Sequence, residues 1–221
     1  MKRYTIALAC ALLACTSVRA GPVTMHNFQY GYEAVHSEQF GTLYTGALVG
    51  EYNGGAPNSF VTFCNDLYQH FDWNVTYTDY TLVANGAAHG LSASQADMLG
   101  KLYTTAGAID NHDKSVAFQL AVWELTQDLR PGNLLTGTFS VEDDTKASPL
   151  ALAQSWLSYA TTSGSVNNYV VTRLYSPSSQ DFLIATPLNP TPTSGKVPEP
   201  ESVLLAAVAL GALAWRRRAV R

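Results

Sequence analysis

The chain has 221 residues, 47% of them hydrophobic and 14% charged, with a formal net charge of −4. Lys2, Arg3, Arg19, Arg216, Arg217, Arg218 and Arg221 sit at the two ends, so residues 21–196 hold six basic residues against fifteen acidic ones, a balance of −9. Such a segment is not built to bind nucleic acid or an anionic membrane surface, and at this length it suffices for one domain with a real core.

Met1-Lys2-Arg3, the uncharged run from Ile6 to Ala14 and the small-residue site Ser17-Val18-Arg19-Ala20 have the form of a secretory signal, with cleavage expected after Ala20. Leu12-Leu13-Ala14-Cys15 loosely matches a lipobox and keeps lipidation at Cys15 as an alternative. Loss of residues 1–20 removes Cys10 and Cys15 and leaves Cys64 alone in an exported domain of residues 21–186. A lone cysteine in an oxidising compartment pairs with another molecule, is a buried thiol, or has a chemical task.

Along that domain, residues 23–30 and 43–52 are rich in aromatic and β-branched residues and broken by glycine, which predicts strands. Residues 59–64 predict another strand, with Phe60, Thr62 and Cys64 on one face and Cys64 at its end before Asn65-Asp66. Residues 75–83 predict a fourth. From Leu91 the period changes: Ser92 is a cap candidate for a helix running to Tyr103, and two more helices are expected over 113–128 and 149–160. Residues 168–175 and 180–185 return to strand character. The order predicts an α+β fold, an antiparallel β-sheet or sandwich with a helical insertion.

The middle helix carries an oddity. At about 100° per residue, Phe118, Leu125, Val122, Val116, Trp123 and Leu120 gather in an apolar arc of about 220°, with Gln119 near its middle. A carboxamide there has an acceptor and two donors to satisfy away from water. A hydrogen bond to a strand edge would do so. Pairing of Cys64 with His70, His89 or His112 would instead suit a cysteine hydrolase, but no local signature accompanies it. Cys64 and His70 lack zinc-site spacing, and neither a metal nor a cofactor is expected.

Phe63-Cys64-Asn65-Asp66-Leu67 and Phe118-Gln119-Leu120-Ala121-Val122-Trp123 together resemble the two motifs of Cys-Gln thioester domains, the TQxA-type surface proteins of Gram-positive adhesins. The resemblance implies that Gln119 acylates Cys64 with loss of ammonia, with Trp123, Phe63 and Asp66 in support. It implies single-use attachment to an amine or hydroxyl on a polysaccharide or surface protein, a role in adhesion or biofilm rather than enzymatic turnover. Phe118 and Val122 stand where the family pattern often has threonine and isoleucine.

After a Pro/Thr/Ser-rich linker over residues 187–196 come Val197-Pro198-Glu199-Pro200-Glu201, an uncharged stretch ending at Trp215, and Arg216-Arg217-Arg218. Residues 197–221 resemble the PEP-CTERM sorting signal, whose partner is exosortase in Gram-negative bacteria that make exopolysaccharide. Residues 203–215 would span about 20 Å as a helix, against a hydrocarbon core of about 30 Å, so the segment reads as a temporary membrane stop with its arginines in the cytoplasm. An ordinary tail anchor is the alternative. The expected destination is the cell surface or extracellular matrix. A non-reactive, exopolysaccharide-associated structural protein is the alternative function.

Overall fold

The computed structural model describes residues 21–189 apart from 57, 129, 130, 143 and 144. The expected signal with Ala20, and the sorting segment with Pro198, Glu199, Pro200, Trp215, Arg216, Arg217 and Arg218, lie outside the described residues.

The chain begins with β1 (Val23–Phe28), β2 (Glu33–Ser37), β3 (Gly41–Thr45), β4 (Leu48–Tyr52), β5 (Phe60–Thr62), β6 (Thr76–Tyr77) and β7 (Thr81–Val83). Helices α1 (Ala93–Ala106), α2 (His112–Gln127) and α3 (Ala147–Thr161) follow, before β8 (Tyr169–Tyr175) and β9 (Phe182–Pro187). This is the expected α+β order with a helical insertion. One antiparallel sheet runs β5-β4-β1-β6, a second runs β7-β8-β9, and β2 and β3 form a separate hairpin.

Two apolar cores follow from the period of two along the strands. On β9, Phe182 faces Val23, Met25 and Leu48 of the first sheet together with Tyr80, whereas Leu183 next to it faces the helices with Val171 of β8. The second sheet is thus sandwiched between the first sheet and the helical layer. Among the described residues no helix is long and apolar enough to cross a membrane.

The middle helix is more deeply placed than a 220° arc implies. Every residue from Ser115 to Leu125 on α2 is buried, so α2 is enclosed on all sides over that stretch. Asn111 caps it by accepting from the Lys114 N–H at 3.0 Å.

Two expected strands are each two shorter ones. The run over 43–52 breaks between β3 and β4 at Gly46, where a Cβ would lie 2.8 Å from the Gly31 carbonyl oxygen. The run over 75–83 divides into β6, which pairs with β1, and β7, which pairs with β8. The expected strand over 59–64 pairs with β4 only as far as Thr62. Strand β2 was not anticipated: Glu33-Ala34-Val35-His36-Ser37 buries one large apolar side chain, Val35, and its ladder is fixed by β3 rather than by composition.

At α1, Ser92 Oγ accepts from the Gln95 N–H at 3.2 Å and Gln95 Oε1 accepts from the Ser92 N–H at 3.0 Å, a reciprocal capping box. Ser92→Ala removes half of it and is expected to lower stability by about 1 kcal/mol in urea unfolding.

Candidate functional site

After Thr62 the chain leaves β4 and runs beside β9. The Leu183 N–H donates to the Phe63 carbonyl at 3.2 Å and the Asn65 N–H donates to the Asp181 carbonyl at 2.9 Å. Cys64 and Phe182 between them are an antiparallel pair of the non-hydrogen-bonded kind, so the N–H and C=O of Cys64 point away from β9. On that side lies α2. Gln119 does what a further strand would do: its Oε1 accepts from the Cys64 N–H and its Nε2 donates to the Cys64 carbonyl, each at 2.9 Å. A backbone donor facing one end of the amide and an acceptor facing the other fix which end is oxygen.

The Cys64 side chain is half-buried and packs against both cores. Burial, and then the charge of Asp66, push its thiol well above the ordinary cysteine range, so it is protonated at neutral pH. Behind Gln119, the Phe118 ring packs on Phe63 at 4.4 Å, Tyr103 at 4.6 Å and Trp156 at 6.2 Å between centroids. These contacts fix the helix rotation that aims Gln119 at Cys64.

Asp66 organises the loop that follows. Its Oδ1 accepts from the N–H groups of Tyr68 and Gln69 and its Oδ2 from the Asp181 N–H at 3.0 Å, while its own carbonyl accepts from Gln180 Nε2 at 2.7 Å. Arg173 Nε donates to buried Asp181 at 2.7 Å, holding the other half of this junction. Trp123 is one turn beyond Gln119 on α2. Its ring packs against Phe139 at 5.7 Å, and its indole N–H has no hydrogen-bond partner among the described residues.

The structure therefore brings together Cys64, Gln119, Trp123, Phe63 and Asp66. Of the histidines, His70 lines the same cleft as Cys64. His89 stacks on Tyr175 at 4.5 Å, and His112 lies at 3.3 Å from the Tyr32 carbonyl oxygen.

The cleft beside Cys64 has a volume of about 290 Å³. Sequence reasoning missed its walls: Phe28, Tyr44, Phe71 and Trp73 come from separate strand ends and loops. The exposed tryptophan in Phe71-Asp72-Trp73-Asn74 was the available signal. That loop is pinned at Asp72, whose N–H donates to Tyr77 Oη at 2.9 Å, and at Asn74, whose N–H donates to the Met25 carbonyl at 2.8 Å.

No curated protein matches the chain. Among solved structures it is similar to the N-terminal domain of the Streptococcus pyogenes pilus tip adhesin Cpa, at 13% identity and a TM-score of 0.43, over 74% of this chain and 96% of that one. Residues 196–218 match the PEP-CTERM protein-sorting motif, which marks the chain as an exported surface protein of a Gram-negative bacterium, processed by exosortase.

Proposed function

We propose that this surface-sorted domain forms an internal thioester between Cys64 and Gln119 and uses it once, to attach covalently to an amine or hydroxyl nucleophile outside the cell. The observation that carries the reading is the clamp of the Gln119 carboxamide across the Cys64 backbone, because it sets the acyl carbon beside the residue that bears the thiol. Formation adds the sulfur to the Gln119 carbonyl carbon. The Cys64 N–H, already on Oε1, stabilises the negative charge that develops there. The C–N bond breaks, and the nitrogen departs as ammonia carrying the thiol proton. The thioester carbonyl keeps its bond from the Cys64 N–H. A raised thiol pKa and a half-buried sulfur also suit a held acyl group better than the ready thiolate of a cysteine hydrolase.

A second reading rests on the same two hydrogen bonds. They satisfy the Gln119 carboxamide without any reaction, as in a structural, exopolysaccharide-associated protein with a free thiol. Intact mass separates the two. The thioester reading expects the full chain to be lighter by one ammonia than its sequence requires, to gain one methylamine on exposure to that amine, and to show neither effect as Cys64→Ala. An unmodified mass with a titratable thiol after unfolding leaves the structural reading.

A further inference from the structure

We infer that the cleft beside Cys64 is a binding site for a neutral sugar chain, so that the nucleophile offered to Gln119 is a sugar hydroxyl. The covalent part of this inference rests on the thioester reading; the binding part does not.

Charge narrows the ligand first. Among the described residues lining the cleft there is no lysine or arginine, so an anionic group finds no guanidinium or ammonium partner. The carboxylate of Asp66, on the same wall, is occupied by the N–H groups of Tyr68, Gln69 and Asp181, and its place there is structural rather than a counter-ion for an ammonium. Hydrogen bonding narrows it further. Trp123 is 3% exposed, lines the cleft, and has an indole N–H without a partner among the described residues. Indole nitrogen is a donor only, and so is an ammonium group, whereas a hydroxyl, ring or glycosidic oxygen accepts.

Shape completes the case. Tyr44 and Trp73 line the cleft and remain 59% and 40% exposed. Trp73 is held by edge contacts to Phe28 at 5.2 Å and Phe71 at 4.8 Å, so its ring is ordered before any ligand arrives. Exposed, ordered aromatic rings offer apolar surface to the C–H faces of a pyranose, and the polar side chains of Gln69 and His70 also line the cleft for its hydroxyls. A ligand that is neutral, rich in acceptor oxygens and apolar on its ring faces is a sugar. In the covalent step the sugar hydroxyl oxygen bonds to the Gln119 acyl carbon, the carbon–sulfur bond breaks, and the hydroxyl proton passes to the Cys64 sulfur. An ester and a free thiol remain.

The test uses the full chain as Cys64→Ala, which has no thiol at position 64 to acylate. It is applied to an array of neutral pyranose oligosaccharides, and the bound ones are titrated by tryptophan fluorescence, with spermidine as the cationic comparator. Saturable binding to at least one neutral oligosaccharide is expected, weakened at least tenfold by Trp73→Ala and by Tyr44→Ala and retained by Trp73→Phe. Binding to none of the array, binding of spermidine instead, or equal affinity in both alanine variants overturns the site. The unsubstituted chain is then incubated with the bound oligosaccharide. A hydroxylamine-labile mass adduct supports the ester, while binding without an adduct preserves the site and overturns the sugar hydroxyl as the nucleophile, the ammonia deficit in intact mass deciding the thioester itself.

Discussion

Gln119→Leu is expected to destabilise the domain by about 4 kcal/mol, even though leucine matches the apolar character of the rest of α2. Leucine fills much of the same space but leaves the Cys64 N–H and C=O facing a buried helix with nothing to bond. Each unpaired buried backbone group costs about 1–3 kcal/mol, and there are two. Against a typical total of about 5–15 kcal/mol, that loss is large enough to show as a much lower urea midpoint. Gln119→Glu refines the measurement. A carboxylate accepts from the Cys64 N–H but sets a second oxygen against the Cys64 carbonyl, so this variant is expected to regain stability at acid pH, where the carboxyl group donates. Equal stability of Gln119→Leu and the unsubstituted chain would show that the clamp holds nothing in place.

The same position gives the thioester a signature in stability as well as in mass. A covalent link between residues 64 and 119 closes a loop over a sequence separation of 55 residues, worth about 4 kcal/mol in the chain-entropy account. Opening the link with hydroxylamine therefore lowers the melting temperature of a thioester-bearing chain and leaves Cys64→Ala unmoved. If Gln119 is only hydrogen-bonded, hydroxylamine changes neither.

What the sequence made legible follows from where the physics is local. Ser92 and the 3.6-residue period place α1 and α2 to within a few residues, because capping and amphipathicity are short-range, although the Asn111 cap of α2 was not read from the sequence. The pairing of Cys64 with Gln119 was legible only through the resemblance of two short motifs; no spacing rule joins residues so far apart. The strand breaks at Gly46 and between β6 and β7 were not legible, since they depend on the close approach of Gly31 and on which sheet each half joins. The cleft was hidden for the same reason. Phe28, Tyr44 and Trp73 lie far apart in the sequence, and only the sheet topology gathers them. Asp66 was read as part of a motif beside the thiol, yet its carboxylate serves chiefly to tie the following loop to β9.

Stability is expected to fall as pH rises from about 5 to 8, and Glu124 is the main reason. Its side chain is 1% exposed; Oε1 accepts from the Gly132 and Asn133 N–H groups at 2.6 and 2.9 Å, while Oε2 has no partner among the described residues. Burial pushes its pKa up to about 7 from 4.5, opposed by those two backbone donors and reinforced by Asp128 one turn on. The folded state thus keeps a proton that the unfolded chain has released between those values, so folding is favoured below pH 4.5 and loses ground up to about pH 7. The loss is on the order of 2–3 kcal/mol at pH 8. Asp181, raised to about 6 chiefly by burial, acts in the same direction. Glu124→Gln keeps an oxygen for Gly132 and Asn133 and removes the titration, so this variant is expected to be more stable than the unsubstituted chain at pH 8 by about 2 kcal/mol, with a flatter pH profile in urea unfolding. An unchanged slope in Glu124→Gln would place the proton uptake elsewhere. The expected flattening has a consequence for the site, because Asp128, which shares this pair, accepts from the N–H groups of Thr138 and Phe139, and Phe139 packs on Trp123 at the cleft. Titration of Glu124 therefore reaches Trp123 in the lining of the cleft, and tryptophan fluorescence should change over the same pH range as stability in the unsubstituted chain and not in Glu124→Gln.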